Sequence, residues 1–153
     1  MVCSETLLFL CDDALPRSPE SVITMARVCC LAAIDPDHVP LLGAALRGAG
    51  EPGFAIVAHL DVAALGKLAP GVLIVDIDRL DVDPLEMLRR LRFVLPECVI
   101  VVYSGAVKRS WGRACHLAGA SCVLSKDSHE RLLISGLRHA IQTGCFTDPR
   151  FAA

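Results

Sequence analysis

Two stretches of this chain, Val72-Leu73-Ile74-Val75 and Val99-Ile100-Val101-Val102, are apolar at every position. A strand with one wet face alternates apolar and polar residues. A strand buried on both faces does not, and that is the situation in a parallel sheet covered by helices on each side. The segments that follow such runs start like helices. Asp83-Pro84-Leu85-Glu86 supplies a capping Asp, a Pro at the first helical position and a Glu three residues after the cap. Behind it Leu85, Leu88, Leu91 and Leu95 form one stripe, and Arg89, Arg90 and Arg92 read as the solvated face. Strands are expected at 28–34, 54–58, 72–76, 98–103 and 121–124. Helices are expected at 37–48 after Asp35-Pro36, at 61–68, from Asp83 to Leu95, at 107–118, and from a cap at Asp127 with Glu130 to a stop near Gly144. Five βα units imply an α/β fold, a doubly wound five-stranded parallel sheet with helices on both faces.

Composition narrows the classes. With 153 residues, 54% hydrophobic and 21% charged, the chain has the size and core of one globular domain and is not disordered. A net charge of −2, from 15 Lys+Arg against 17 Asp+Glu, gives no strong pull on a polyanion, so direct nucleic-acid binding is not expected. No apolar run approaches the roughly 20 residues that span a bilayer. The apolar patch 7–10 lacks a preceding basic region, so it is not read as a secretory signal. The eight cysteines show no CxxC spacing and no His at zinc-like spacing. They read as small buried hydrophobes of a chain in the reducing cytoplasm. His38, His59, His116, His129 and His139 are scattered and read as surface or packing residues.

Residues 1–26 stand outside the βα rhythm. Leu7-Leu8-Phe9-Leu10-Cys11 looks like a strand ending in Asp12 and Asp13, which read as a surface turn, and 16–21 looks like linker. This part is expected to be an N-terminal extension, an added edge strand or a dimer contact. The domain proper is expected at 27–145, with 146–153 beginning a linker or tail.

In an open parallel α/β sheet, ligands bind at the carboxyl ends of the strands. Those ends carry Asp35, Asp76 and Asp78, Ser104, and Lys126. A carboxylate, a hydroxyl and an ammonium at one edge can accept and hold a phosphoryl group. The carboxylate is the nucleophile, the hydroxyl bonds a phosphoryl oxygen, and the ammonium neutralises charge. A second carboxylate would be needed to hold Mg²⁺. The bland reading of Asp76 is a strand-end acid paired with Lys126. Asp35 reads either as a helix cap or as a metal ligand, and Asp78 as a solvated loop acid. Trp111, the only Trp, is an interface anchor or half-buried helix packing.

The run Val72-Leu73-Ile74-Val75-Asp76-Ile77-Asp78, followed by Asp83-Pro84-Leu85-Glu86-Met87-Leu88, resembles the phosphoacceptor strand and following helix of response-regulator receiver (CheY-like) domains. Residues 99–104 look like the strand ending in the family's Ser/Thr. Ala118-Gly119-Ala120-Ser121-Cys122-Val123-Leu124-Ser125-Lys126-Asp127 is similar to the last strand with its Lys. The Lys-Asp ending and the tail 137–148 resemble the NarL/LuxR branch, whose receivers precede a helix-turn-helix DNA-binding domain, and Met25-Ala26-Arg27-Val28 looks like the usual start. The resemblance covers 27–150.

It implies a flavodoxin-like receiver fold, with Asp76 as phosphoacceptor, Ser104 as switch hydroxyl and Lys126 as phosphate-binding ammonium, and it puts Asp78, two residues after the acceptor, at the border of the active site. The departures imply a degenerate form. Where the family has two adjacent acids for Mg²⁺, this chain has Ala32-Ala33-Ile34-Asp35, and where it has an aromatic switch residue, this chain has Val123. A Mg²⁺ site on Asp35 and Asp76 would thus be weak. The expected function is the signal-receiving domain of an atypical NarL/LuxR-type regulator, phosphorylation-independent or weakly phosphorylated at Asp76, a homodimer that responds to a sensor kinase, a small molecule or a partner protein or is dimeric constitutively. DNA contact would come only through a domain beyond Ala153, and no membrane contact is expected. The alternatives are a conventional Mg²⁺-dependent phosphoreceiver and a small α/β enzyme. Against the enzyme stand the absence of a Gly-rich phosphate loop, a nucleophile elbow and a His/Cys/Asp constellation. At most, self-catalysed phosphotransfer and dephosphorylation at Asp76 are expected.

Overall fold

The computed structural model describes residues 6–7, 28–106 and 108–151. Asp12, Asp13, the expected linker 16–21 and the expected domain start at Met25 lie outside the described residues. Among the described residues seven strands are present: β1 (Thr6–Leu7), β2 (Cys29–Ala32), β3 (Ala55–Val57), β4 (Val72–Asp76), β5 (Val99–Ser104), β6 (Cys122–Ser125) and β7 (Phe146–Thr147). Five α-helices lie between them: α1 (Val39–Gly48), α2 (Val62–Leu68), α3 (Pro84–Val94), α4 (Arg109–Ala118) and α5 (Glu130–Thr143). The sheet order is β1-β3-β2-β4-β5-β6-β7, and all pairings are parallel except that of β1 with β3. The five expected strands are the middle five. A sixth parallel strand and a two-residue antiparallel strand are added at the two edges, so the strand count is corrected upward.

The unbroken apolar runs are buried on both faces. Along β4, Leu73 and Val75 face a layer built by Leu65 of α2, Met87, Leu88 and Leu91 of α3, and Cys115 of α4. Val72 and Ile74 face the opposite layer, built by Leu42 and Leu46 of α1 and Leu133 and Leu137 of α5. Fully burying one such side chain stabilises by about 1.5–3 kcal/mol, so both faces need aliphatic cover.

Most helix ends follow the sequence signals. Asp83 accepts from the Leu85 N–H at 3.0 Å with Pro84 at the first position, and Asp61 accepts from Ala64 at 3.1 Å. Gly144 closes α5 at φ +86°, a left-handed conformation that Gly adopts without a Cβ penalty. The expected cap of α5 by Asp127 is not formed. The helix starts after His129, whose side chain makes no capping bond. Arg92 also differs from the solvated face assigned to it. At the end of α3 its guanidinium donates to the carbonyls of Gly119 (2.8 Å) and Cys98 (2.8 Å) and to Ser121 Oγ (3.0 Å). It thereby satisfies acceptors left open where α3 and α4 end.

Residues 146–151, expected to begin a linker, pack onto the sheet instead. β7 pairs with β6, and Phe151 is buried between α4 and the sheet. Gly112 of α4 makes room for this, since a Cβ there would stand 2.8 Å from Phe151 Cβ. Buried Asp148 accepts from the Ser125 N–H at 3.1 Å and from the Ser128 hydroxyl, fixing the tail to the end of β6. Cys29, Cys30, Cys98, Cys115 and Cys122 form no disulfide and are buried, and burial pushes the Cys30 thiol up to about 11. Phe151→Ala is expected to cost about 3–5 kcal/mol. The urea midpoint should fall with the slope unchanged, and a midpoint equal to wild type would contradict the packed tail.

Candidate functional site

The site follows from register. Asp76 pairs with Tyr103 and Ser104 with Ser125, so β4, β5 and β6 end nearly level. The backbone bond from Lys126 N–H to the Ser104 carbonyl, 2.9 Å, holds Lys126 beside Ser104. Asp76, Ser104 and Lys126 are thereby gathered at the carboxyl edge, as the spacing predicts. Asp76 and Ser104 are wholly buried, and Lys126 is partly exposed.

Lys126 Nζ lies 2.8 Å from Asp76 Oδ2 and 3.1 Å from Asp78 Oδ2, one ammonium between two carboxylates. Beneath it the Tyr103 ring centroid is 5.8 Å away, and the Tyr103 hydroxyl meets His38 Nδ1 at 2.8 Å. Burial opposes the charge on Lys126. Its contacts with Asp76 and Asp78 outweigh that cost and hold its pKa above the ordinary lysine value.

Asp78 is partly exposed, as read for a loop acid, and it also bonds into the site. Asp76 Oδ1 accepts from the Asp78 N–H at 3.0 Å, which starts a single 3₁₀ turn over Ile77–Arg79. Ile77 packs into the core, and the turn carries Asp78 back across the sheet edge. There Oδ1 accepts from the Ser104 hydroxyl at 2.8 Å and Oδ2 from the Gly105 N–H at 2.7 Å. Burial raises the Asp78 pKa, but the Gly105 amide, the Ser104 hydroxyl and Lys126 together bring it below the usual carboxylate range. The signal in the sequence is the Asp-x-Asp spacing itself. A strand-end Asp readily caps the amide two residues on, and that turn re-aims the second acid.

Asp35 takes the capping role. Its Oδ1 accepts from the Asp37 N–H at 2.9 Å, and its Oδ2 lies 3.3 Å from Arg79 in an exposed ion pair. Ala33, directly after β2, has a left-handed φ of +57°. Together with His59, Arg79, Asp81 and Met87 it lines an open cleft of about 350 Å³. Mg²⁺ demands near-octahedral oxygen ligation. Asp76 and Asp78 instead share a lysine, and Asp35 faces an arginine. Among the described residues no three His, Cys, Asp or Glu side chains come together to hold a metal ion. This donor set does not fit Mg²⁺.

Elsewhere, Trp111 is half-buried and packs against the layer that holds Phe151, in line with helix packing. His116 bonds the Ala120 carbonyl and Thr147 Oγ1, at 2.9 and 2.7 Å. Val123 is fully buried in the same layer as Trp111. No helix among the described residues is long and apolar enough to cross a membrane.

No family model and no curated protein matches the sequence. Among solved structures, the chain is similar to the response regulator DrrB of Thermotoga maritima, an OmpR/PhoB homolog, with a TM-score of 0.64 at 13% identity over 79% of this chain. The chain spans about half of that protein, 54% of its length. A LuxR-family two-component response regulator of Aurantimonas sp. SI85-9A1 gives 0.64 at 19% identity, covering 82% of this chain and 91% of that one. A pilus assembly-related protein of Burkholderia pseudomallei gives 0.64 at 18%, covering 79% and 92%. The class defined is that of the receiver (CheY-like) fold. Equal scores across three kinds of protein define the fold and leave the branch to the residues.

Ser104→Ala would leave Asp78 Oδ1 without its hydroxyl donor and the Ala106 N–H without the Oγ it bonds at 3.0 Å. A loss of about 1–3 kcal/mol is expected from chemical denaturation. The Asp78 carboxylate has a lowered folded pKa, so its stabilisation is present above the ordinary Asp value and is lost as pH falls through the folded one. Asp78→Asn should therefore be less stable than wild type at neutral pH, and the difference should shrink as pH drops below about 3.9. A gap independent of pH would contradict the charged contacts.

Proposed function

We propose that this chain is the signal-receiving domain of an atypical response regulator of the NarL/LuxR type, and that its state does not depend on Mg²⁺-assisted phosphorylation of Asp76. One observation carries the reading. The hydroxyl that a phosphoryl group on Asp76 would need is bonded to Asp78, and the ammonium is shared between Asp76 and Asp78. An incoming phosphodonor, itself an anion, meets two carboxylates against one lysine, and those carboxylates already spend oxygens on Lys126, Ser104 and Gly105 that a shielding divalent cation would need. Asp76, Ser104 and Lys126 are the site residues of this reading, with Asp35 a capping acid and no metal required. The branch is supported by the Lys126-Asp127 junction.

In this reading the domain is regulatory and turns over no substrate. It acts as a homodimer in the cytoplasm, on DNA only through a domain not in this sequence. Its signal is a partner protein or small molecule, with a sensor kinase reaching it at most weakly. Burial of Cys29, Cys30, Cys98, Cys115 and Cys122 fits a reduced compartment.

Transfer from acetyl phosphate would form a bond from an Asp76 carboxylate oxygen to phosphorus and break the bond to acetate, which leaves. With Mg²⁺ and excess acetyl phosphate, intact mass should show no phosphoryl adduct or a minor one, and Trp111 fluorescence should not change. One phosphoryl group per chain, abolished in Asp76→Asn, would overturn the phosphorylation-independent reading in favour of a conventional Mg²⁺-dependent phosphoreceiver. Steady turnover of acetyl phosphate by Asp76→Asn would revive the enzyme reading.

A further inference from the structure

We propose that the Asp78 carboxylate is a resident anion in the seat that a phosphoryl group would occupy, so the donors of this edge are drawn together by the chain's own side chain and a phosphate-sized oxyanion must displace it. The inference deepens the reading just given and rests on it.

The donors define the seat. The Ser104 hydroxyl, the Gly105 N–H and the Lys126 ammonium come from two different strand ends, and all three converge on one carboxylate, at 2.8, 2.7 and 3.1 Å. A hydroxyl, a backbone amide and a fixed cation around one point are the recognition set of an oxyanion. Asp78 is delivered to that point by a turn that Asp76, the acid it would compete with, itself caps. The core side chain Ile77 fixes the turn from below. The Ala106 N–H bonds Ser104 Oγ at 3.0 Å, so the hydroxyl proton is free to point at Asp78. The lowered pKa of Asp78 agrees with this set of donors. About a third of the Asp78 side chain is exposed, so it can swing out without unfolding the sheet.

Two consequences distinguish this from an ordinary ion pair. The edge is held in the arrangement of an occupied site when no phosphoryl is present. Removing Asp78 should moreover create binding, because it empties a seat whose donors remain. Asp78→Ala empties it, and Asp78→Asn fills the same volume without charge.

The experiment uses the whole chain with beryllofluoride, a phosphoryl-sized anion that attaches to a carboxylate oxygen, in buffer with Mg²⁺. Bound ¹⁹F signals report occupancy, and the Gly105 amide in ¹H–¹⁵N spectra reports where Asp78 sits. In wild type the Gly105 proton should be far downfield and should move upfield in Asp78→Ala. Asp78→Ala should bind beryllofluoride roughly tenfold or more tightly than wild type, the effect of about one charge-assisted bond, and Asp78→Asn should lie between them. A Gly105 amide indifferent to Asp78 would overturn the proposal. So would beryllofluoride bound equally by wild type and Asp78→Ala, or bound by neither. The amide readout separates this failure from failure of the signalling reading, because it locates Asp78 whether or not Asp76 can be phosphorylated.

Discussion

Burial of the central strands on both faces leaves no place for a polar side chain until the chain leaves the sheet. Along β4 every residue before Asp76 is aliphatic and fully covered, and along β5 the run before Tyr103 is as apolar. Parallel pairing then sets the strand ends side by side, because each strand runs the same way. Charge, hydroxyl and exposed amide are therefore concentrated at one edge. Asp76, Ser104 and Lys126 meet there through backbone register, before any attraction between their side chains is considered. The same constraint makes the edge costly to leave unpaired. Wholly buried Asp76 needs a counter-charge, and Lys126 supplies it at 2.8 Å.

Two carboxylates and one ammonium leave the edge with an excess negative charge. Such a cluster holds together because its geometry satisfies the second acid by other means, the Ser104 hydroxyl and the Gly105 amide. Hydrogen bonds to a carboxylate favour its charged form as a cation does. Asp78 consequently stays ionised beside Asp76 and takes donors away from any further anion. The Asp35–Arg79 pair, exposed and on the far side of the 3₁₀ turn, adds little energy, but it occupies the third acid of the region. The chemistry available to this edge is that of a site already charged and already bonded, and it differs from that of an open acidic site awaiting a metal.

Much of this was legible in the residues. Unbroken aliphatic runs announce strands buried on both faces, and Asp83-Pro84 announces a helix, because in each case the physics is local to a few neighbours. The gathering of Asp76, Ser104 and Lys126 was legible because strand ends in a parallel sheet coincide. Asp78 was not. Its position depends on a turn capped by a side chain, and an Asp two residues past a strand could equally face water. Arg92 was misread for a similar reason. Its row on the helix is the polar one, but the helix ends beside carbonyls of a different loop, and only the tertiary structure brings them to it. Residues 146–151 carry a short Phe-Thr run and a lone Phe, too little pattern to signal a strand. Gly112, which lets Phe151 in, lies more than thirty residues upstream.

Asp148 links that tail to the site. By bonding the Ser125 N–H and the Ser128 hydroxyl it fixes both sides of Lys126 in the chain. The ammonium that sits between Asp76 and Asp78 is thus carried on a backbone clamped from the neighbouring edge strand. With Ser104 fixed from below by β5 and Lys126 by the tail, the least constrained member of the cluster is Asp78, on a single 3₁₀ turn and partly open to water. If the edge has two states, the rigid donors define the seat, and the difference between the states is where Asp78 lies.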